Sequence, residues 1–193
     1  MGIGIQICGL NGSGKSTLGR ALAEKIGFYF IDDENLYFSR SNPNEPYTNP
    51  KPRHEVEQLL MNEVKKHPDF VFAAVKGDYE KDIISMYDYV IMLEVPQSVR
   101  SQRVRNRSFK KFGSRMLMGG DLYNQEEAFF QMVESRQGSY VENWLQTVKC
   151  PIIRVDGTKP IEENVEYIRM VKPYIKHIHV FYWPNNQRIS LHN

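Results

Sequence analysis

Residues 9 to 17, Gly-Leu-Asn-Gly-Ser-Gly-Lys-Ser-Thr, stand between a short apolar run and a helically patterned one, and that order leaves few folds open. Gly9, Gly14, Lys15 and Ser16 fit the spacing of a loop that wraps phosphate groups. Glycines at 9, 12 and 14 permit backbone conformations that a Cβ would forbid, so successive N–H groups can turn inward, and Asn11 and Ser13 complete the loop. Lys15 offers a cation to the outer phosphates of a nucleotide, and the Ser16 hydroxyl suits a magnesium ion that keeps most of its waters. Thr17 is expected to open a helix whose N-terminus favours anions. Four fixed positions recur by accident in about one chain in a hundred, before any flanking element is required.

The flanks meet that further requirement. Ile3, Ile5, Ile7 and Cys8 have strand composition, while Leu18, Leu22 and Ile26 recur at helical spacing up to Gly27. Further apolar runs, Phe28 to Ile31, Phe70 to Val75, Tyr89 to Val95 and Ile152 to Val155, are nearly continuous, as strands buried on both faces are. Between them the pattern predicts helices over Arg53 to Lys66, Ser98 to Arg107, Gln125 to Gln146 and Pro160 to about Ile178, with a short helix or turn over Asn35 to Arg40. Such alternation predicts an α/β fold, the three-layer sandwich of P-loop NTPases with a five-stranded parallel sheet and helices on both faces. Residues 41 to 52 hold four prolines and no apolar period, so a loop is predicted there.

Bulk properties exclude several function classes. A chain of 193 residues has room for one well-buried domain. The net charge of +2 fits neither a nucleic-acid coat nor an acidic tail. Cys8 and Cys150 are too few for a disulfide framework or a zinc quartet, which suits a reducing compartment. No apolar run approaches the roughly 18 residues needed to span a bilayer, and the first residues read as a strand with no leader-peptide layout. A soluble, cytoplasmic protein with no membrane partner is expected.

Cations and carboxylates gather around the expected site. Pro96 to Gly120 contains no acidic residue but holds Arg100, Arg103, Arg105, Arg107, Lys110, Lys111 and Arg115. Arg100, Arg103 and Arg107 fall at i, i+3 and i+7, on one helix face, and Arg103 and Arg107 suit phosphate clamping. For Arg105, Lys110 and Lys111 a solvated face or an RNA contact stays open. Arg136 lies on the apolar stripe of Phe129, Met132, Val133, Tyr140 and Trp144, and an inward cation requires an anion, either a phosphate or a core-edge carboxylate. Asp32, Asp33 and Glu34 follow a strand expected beside the first, so their carboxylates would open at the edge that carries the phosphate loop. One of them, with Asp32 the first choice, would hold magnesium through water; another would accept a hydroxyl proton, a role open between Asp32 and Asp33. Lys76 and Asp78 end the third strand at the same face.

Through most of residues 3 to 172 the chain resembles the adenylate kinase-like group of P-loop kinases, which includes nucleoside monophosphate, shikimate and gluconate kinases. Leu93-Glu-Val-Pro, then Arg103-Val-Arg-Asn-Arg107, is similar to the segment that sets one arginine against adenine and another on phosphates. Gln125-Glu-Glu through Arg136 and Tyr140 resembles the helix after their mobile lid, with Arg136 at its phosphate-binding arginine. Val155-Asp-Gly-Thr-Lys-Pro160 resembles the loop around the adenine edge, which brings in Gly157 and Lys159. The resemblance implies ATP as donor, with Mg2+. On the acceptor side it departs. Ala73 to Asp78 stands where adenylate kinases carry Asp-Gly-Phe-Pro-Arg, and Asp32-Asp33-Glu34 is similar in spacing to the Asp-x-Asp of shikimate kinase without that enzyme's glycine triplet. Lys76 is similar to basic residues of gluconate kinase.

The combined expectation is transfer of the γ-phosphoryl group of Mg·ATP to a small hydroxyl- or phosphate-bearing metabolite, a nucleoside, nucleotide or sugar acid, by one domain spanning 1–193. A lid at about 108–124, pivoting at Gly113, Gly119 and Gly120, would bring Arg107, Arg115 and Arg136 around the transferring group. An insert at about 35–68 with Arg40 and Arg53, together with Asp33, Glu34 and Lys76, would border the acceptor. Two alternatives stand beside it: a P-loop ATP-binding regulator or ATPase without a small acceptor, and an RNA-directed protein using the basic stretch. The tail at 177–193, with His177, His179 and an aromatic run, is expected to pack as a strand on the sheet or on a second subunit, and monomer and homodimer both stay open.

Overall fold

The computed structural model describes residues 2–38, 49–171 and 180–181, the last two as backbone. Arg40, His177 and His179 lie outside the described residues. Strand β1 (Gly4–Cys8) is buried along its length and pairs in parallel with β3 (Phe70–Ala73) on one side and β4 (Tyr87–Glu94) on the other. Outside these lie β2 (Tyr29–Asp32) against β3 and β5 (Ile152–Asp156) against β4. The two-residue β6 (Val180–Phe181) continues the parallel sheet beside β5, which gives the order β2-β3-β1-β4-β5-β6. The five strands expected from the sequence are present, and β6 falls within the tail expected to return to the sheet.

One neighbour differs from expectation. β2 lies against β3 and not against β1. Phe70-Val-Phe-Ala is buried at all four positions and takes the inner place, whereas β2 exposes Tyr29 and suits an edge. Alternate residues of each inner strand face opposite layers. Ile5, Ile7 and Ile91 pack with Leu18 and Leu22 of α1 (Lys15–Ile26) and Ile168 of α8 (Ile161–Val171). On the other face, Phe70 and Phe72 meet Val56, Leu60 and Val64 of α3 (Arg53–Lys66). Cys8, Val90 and Met92 on that face meet Val141, Trp144 and Leu145 of α7 (Ser139–Leu145). Each fully buried side chain of this size contributes about 1.5–3 kcal/mol relative to exposure, so both layers are held by core and not by the loops.

Several helix limits move. α1 starts at Lys15 and not at Thr17, because Gly14 at φ 100° turns the chain directly into the helix. Two short helices, α2 (Asp33–Tyr37) and α4 (Lys81–Ile84), follow β2 and β3. α5 (Gln97–Phe112) continues past Arg107, since Val104 stays packed against Met116, Phe130 and Val133. The flap is thereby reduced to a 3-10 turn (Gly113–Met116) and the residues leading into α6 (Tyr123–Ser135).

The single helix expected over 125–146 is broken. Arg136 takes an extended backbone, φ −70° and ψ 113°, and α7 starts again after Gly138. Two ties enforce the break: Arg136 Nη1 donates to Asn11 Oδ1 at 2.8 Å, and Arg154 of β5 binds Glu142 of α7 and Glu94 of β4. Tyr140, which the sequence sets on the inner stripe, is 43% exposed. No helix of the described residues is long and apolar enough to cross a membrane.

Candidate active site

The glycine-rich loop leaves β1 at Gly9, whose N–H donates to the Val75 carbonyl at 3.1 Å, and enters α1 through Gly14. Gly12 has φ 80°, and a Cβ there would stand 2.4 Å from the Arg100 carbonyl oxygen, so neither conformation nor space admits a side chain. Ser13 is buried, and its Oγ has no hydrogen-bond partner among the described residues. Lys15 Nζ arches back to the Leu10 carbonyl at 3.2 Å. Burial draws the lysine pKa down to about 8, with Asp32 and Asp33 opposing. An orphaned hydroxyl, positive-φ glycines and an ammonium at one helix N-terminus form a cradle suited to oxyanions. Thr17 is exposed on the first turn of α1.

Helix α5 braces this loop. Arg100 is 5% exposed; its Nε donates to Val95 O and its Nη1 to Asn11 O at 3.3 Å, so it anchors the backbone of the loop. Arg103 Nη1 donates to Ser13 O at 3.3 Å and Gly157 O at 3.0 Å, bridging the loop and the turn after β5. In that turn Lys159 pairs with Glu163, while Gly157 N–H donates to Glu94 O at 2.8 Å. Arg107, one helical turn further on, is exposed and lies 3.9 Å from Glu34 Oε2. Arg105 binds Glu127 and Glu134 and covers the Phe130 ring, which joins α5 to α6. Arg115 forms an ion pair with Asp121 and does not line the site.

A cavity of about 460 Å³ opens between the loop, the end of β2 and α6. Lys15, Ser16, Asp32, Asp33, Glu34, Arg107 and Arg136 line it together. Asp32 Oδ1 accepts from Glu34 N at 3.3 Å and caps α2. Asp33 accepts a hydrogen bond from the Tyr79 hydroxyl. Burial raises the Asp33 carboxyl to about 6, against the lowering effects of Tyr79 and Lys15. Among the described residues no three His, Cys, Asp or Glu side chains converge on a metal site. The Ser16 hydroxyl and the Asp32 carboxylate on the lining suit magnesium, which takes one or two protein oxygens and fills its shell with water and phosphate.

Two expected acceptor-side cations stand behind this wall. Arg53 pairs with Glu57 at 3.0 Å, donates to the Asp78 carbonyl and covers the Tyr79 ring at 5.1 Å. Lys76 binds Asp78 at 2.7 Å and lies 4.3 Å from the centre of the Tyr140 ring. Both therefore support Tyr79 and α7 and do not line the cavity. Two lining or supporting residues escape the sequence reasoning. Tyr79 carries no local signal. Glu126 does: with Phe130 and Val133 it falls at i, i+4 and i+7, and all three are buried.

The chain is similar to known proteins. A family model described as an AAA domain matches residues 5–131. The Bacillus subtilis protein named Uncharacterized protein YqaC is 26% identical over 172 residues, covering 85% of this chain and 94% of its own. A Caenorhabditis elegans protein named adenylate kinase isoenzyme 6 homolog is 27% identical over 175 residues, with 85% and 86% covered. Among solved structures, shikimate kinase from Bacteroides thetaiotaomicron matches with a TM-score of 0.59 at 19% identity, over 89% of this chain and 98% of its own, which establishes a shared fold.

Proposed function

The chain belongs to the AAA-domain family, and on that premise we propose that it transfers the γ-phosphoryl group of ATP to a hydroxyl of a small metabolite. One observation carries the proposal: the phosphate cradle and a half-buried carboxyl raised to about 6 share a single cavity. A nucleotide-binding regulator needs the cradle alone, whereas a carboxylate tuned toward neutral pH is the tool of a proton acceptor. Relatives and fold neighbours named as kinases support the same class.

The residues divide the work. The main-chain N–H groups of Gly12 and Gly14 and the Ser13 hydroxyl, with Asn11 and Lys15, cradle the triphosphate, Gly9 sets the turn that aims them, and Thr17 extends that helix terminus. Arg103, Gly157 and Lys159 border the base. Ser16, and Asp32 through water, would hold magnesium, which would supply positive charge to the phosphate oxygens. Asp32 is committed to that role and to capping α2, so Asp33 takes the proton. The acceptor oxygen bonds to the γ-phosphorus as the bond to the bridging oxygen breaks, the hydroxyl proton passes to Asp33, and ADP departs. Arg107 and Arg136 hold the transferring charge, Arg136 from a position fixed by Asn11. Glu34 orients Arg107, and Arg53 and Lys76 hold Tyr79 and the outer wall.

Changing Lys15→Ala should abolish calorimetric binding of a non-hydrolysable ATP analogue and phosphoryl transfer together. Transfer at an unaltered rate would remove this mechanism. ATP consumption that needs no added acceptor would favour an ATPase instead.

A further inference from the structure

Four carboxylates, Asp32, Asp33, Glu34 and Glu126, line the cavity, and four cations, Lys15, Arg107, Lys111 and Arg136, line it with them. Taking the phosphoryl-transfer reading as given, the triphosphate engages Lys15, Arg107 and Arg136 while its magnesium engages Asp32, and those charges neutralise one another. Glu34 is drawn to Arg107 at 3.9 Å, which leaves Asp33 and Glu126 facing the acceptor, with Lys111 as the remaining cation among the described lining residues. Glu126 matters most. It is 4% exposed, and its Oε2 has no hydrogen-bond partner among the described residues. A buried carboxylate oxygen is destabilising unless a donor reaches it, and a phosphate or carboxylate on the acceptor would bring more negative charge instead. Phe112, Phe129 and Met132, half-buried, line the cavity with Glu126 and Tyr37 and give it apolar surface for a ring.

We infer that the acceptor is an uncharged, ring-bearing alcohol with further O–H or N–H donors, in chemical terms a nucleoside and not a nucleotide or sugar acid, and that Glu126 selects it. The reacting hydroxyl approaches Asp33, the ring lies on the phenylalanines, and a second donor fills the vacant position on Glu126 Oε2. A charged acceptor meets surplus carboxylate at both ends.

The test uses the full chain with ATP and magnesium, and reads ADP release with three sets of probes: nucleosides, their 5′-monophosphates, and the sugar acids gluconate and shikimate. For at least one nucleoside, kcat/KM should exceed that of its monophosphate and of both acids by at least tenfold. Glu126→Gln keeps the shape and removes the charge. It should raise the nucleoside KM by about tenfold, the worth of one hydrogen bond to a charged group, leave the KM for ATP in place and narrow the nucleoside-to-monophosphate ratio. Preference for a monophosphate or a sugar acid overturns this inference and leaves the kinase reading standing. A Glu126→Gln protein with unaltered nucleoside KM and unaltered discrimination overturns the role of Glu126, and turnover with none of the probes overturns both readings.

Discussion

Replacing Asp33 with asparagine should move stability and activity in opposite directions. The carboxyl, ordinarily near 3.8, is raised to about 6, mainly by burial and against the hydrogen bond from Tyr79. A shift of roughly two pH units corresponds to about 3 kcal/mol between the protonated and ionised forms. Between about pH 4 and 6 the folded state keeps a proton that the unfolded state has released, so stability falls as pH rises through that window and the full penalty stands above it. Asparagine removes the charge, and its Oδ1 still accepts from Tyr79, although burying its own amide costs about 1–2 kcal/mol. The net gain at pH 7.5 is about 1–2 kcal/mol, which for a chain of this length raises Tm by about 2–8 °C. Thermal unfolding followed by circular dichroism at pH 7.5 and pH 4 reads this directly, because the advantage should nearly vanish at pH 4. Phosphoryl transfer at pH 7.5 should fall by at least about a hundredfold, the ordinary contribution of a general base. An Asp33→Asn protein less stable than the parent at pH 7.5, or equally advantaged at both pH values, would refute the picture of a burial-strained carboxylate. Undiminished turnover would refute its role as base.

Two further substitutions probe the neighbours of this group. Tyr79→Phe removes the hydrogen bond that restrains the Asp33 pKa, so the acid limb of the pH–rate profile should move upward from about 6; an unmoved limb would exclude Tyr79 as a positioning residue. Gly12→Ala forces a Cβ into a positive-φ position against the Arg100 carbonyl, with a conformational penalty of about 1–2 kcal/mol before the clash is counted. It should lower Tm and erase calorimetric binding of an ATP analogue, and retained binding would show that the loop takes a different conformation with nucleotide.

Local pattern made the strand, loop and helix around Gly9 to Ile26 legible, together with the strand composition of the inner sheet and the limits of α3. The place of β2 was not, because lateral order depends on which strand can be buried on both faces, and Phe70 to Ala73 outcompetes Tyr29 to Asp32 only when both are in view. The break at Arg136 was hidden for a similar reason. Apolar spacing runs on from Phe129 and Met132 to Tyr140 and Trp144, and the contact that ends the helix reaches Asn11, 125 residues away. In the site, the phosphate loop, Asp32, Asp33, Arg107 and Arg136 were legible from motif and charge and line one cavity. Arg53 beside the proline-rich segment and Lys76 at the end of the third strand read as acceptor-side cations, yet Glu57, Asp78 and two tyrosine rings engage them. Glu126 reads as an ordinary acidic residue in the first turn of a helix, and only its phase with Phe130 and Val133 marks it as buried.

Helix α5 is unbroken from Gln97 to Phe112, with Arg100 packed beneath the glycine loop, Arg103 on Gly157 and Arg107 at the cavity. A helix advances 1.5 Å and turns about 100° per residue, so this rod acts as a ruler whose gradations cannot slip. One residue inserted between Arg100 and Arg107 would swing the later guanidinium more than a quarter of a turn away from its mark. Residues 114–121, past the end of the rod, are under no such discipline. Natural variation can lengthen or rewrite that segment while the spacing of the three arginines stays true.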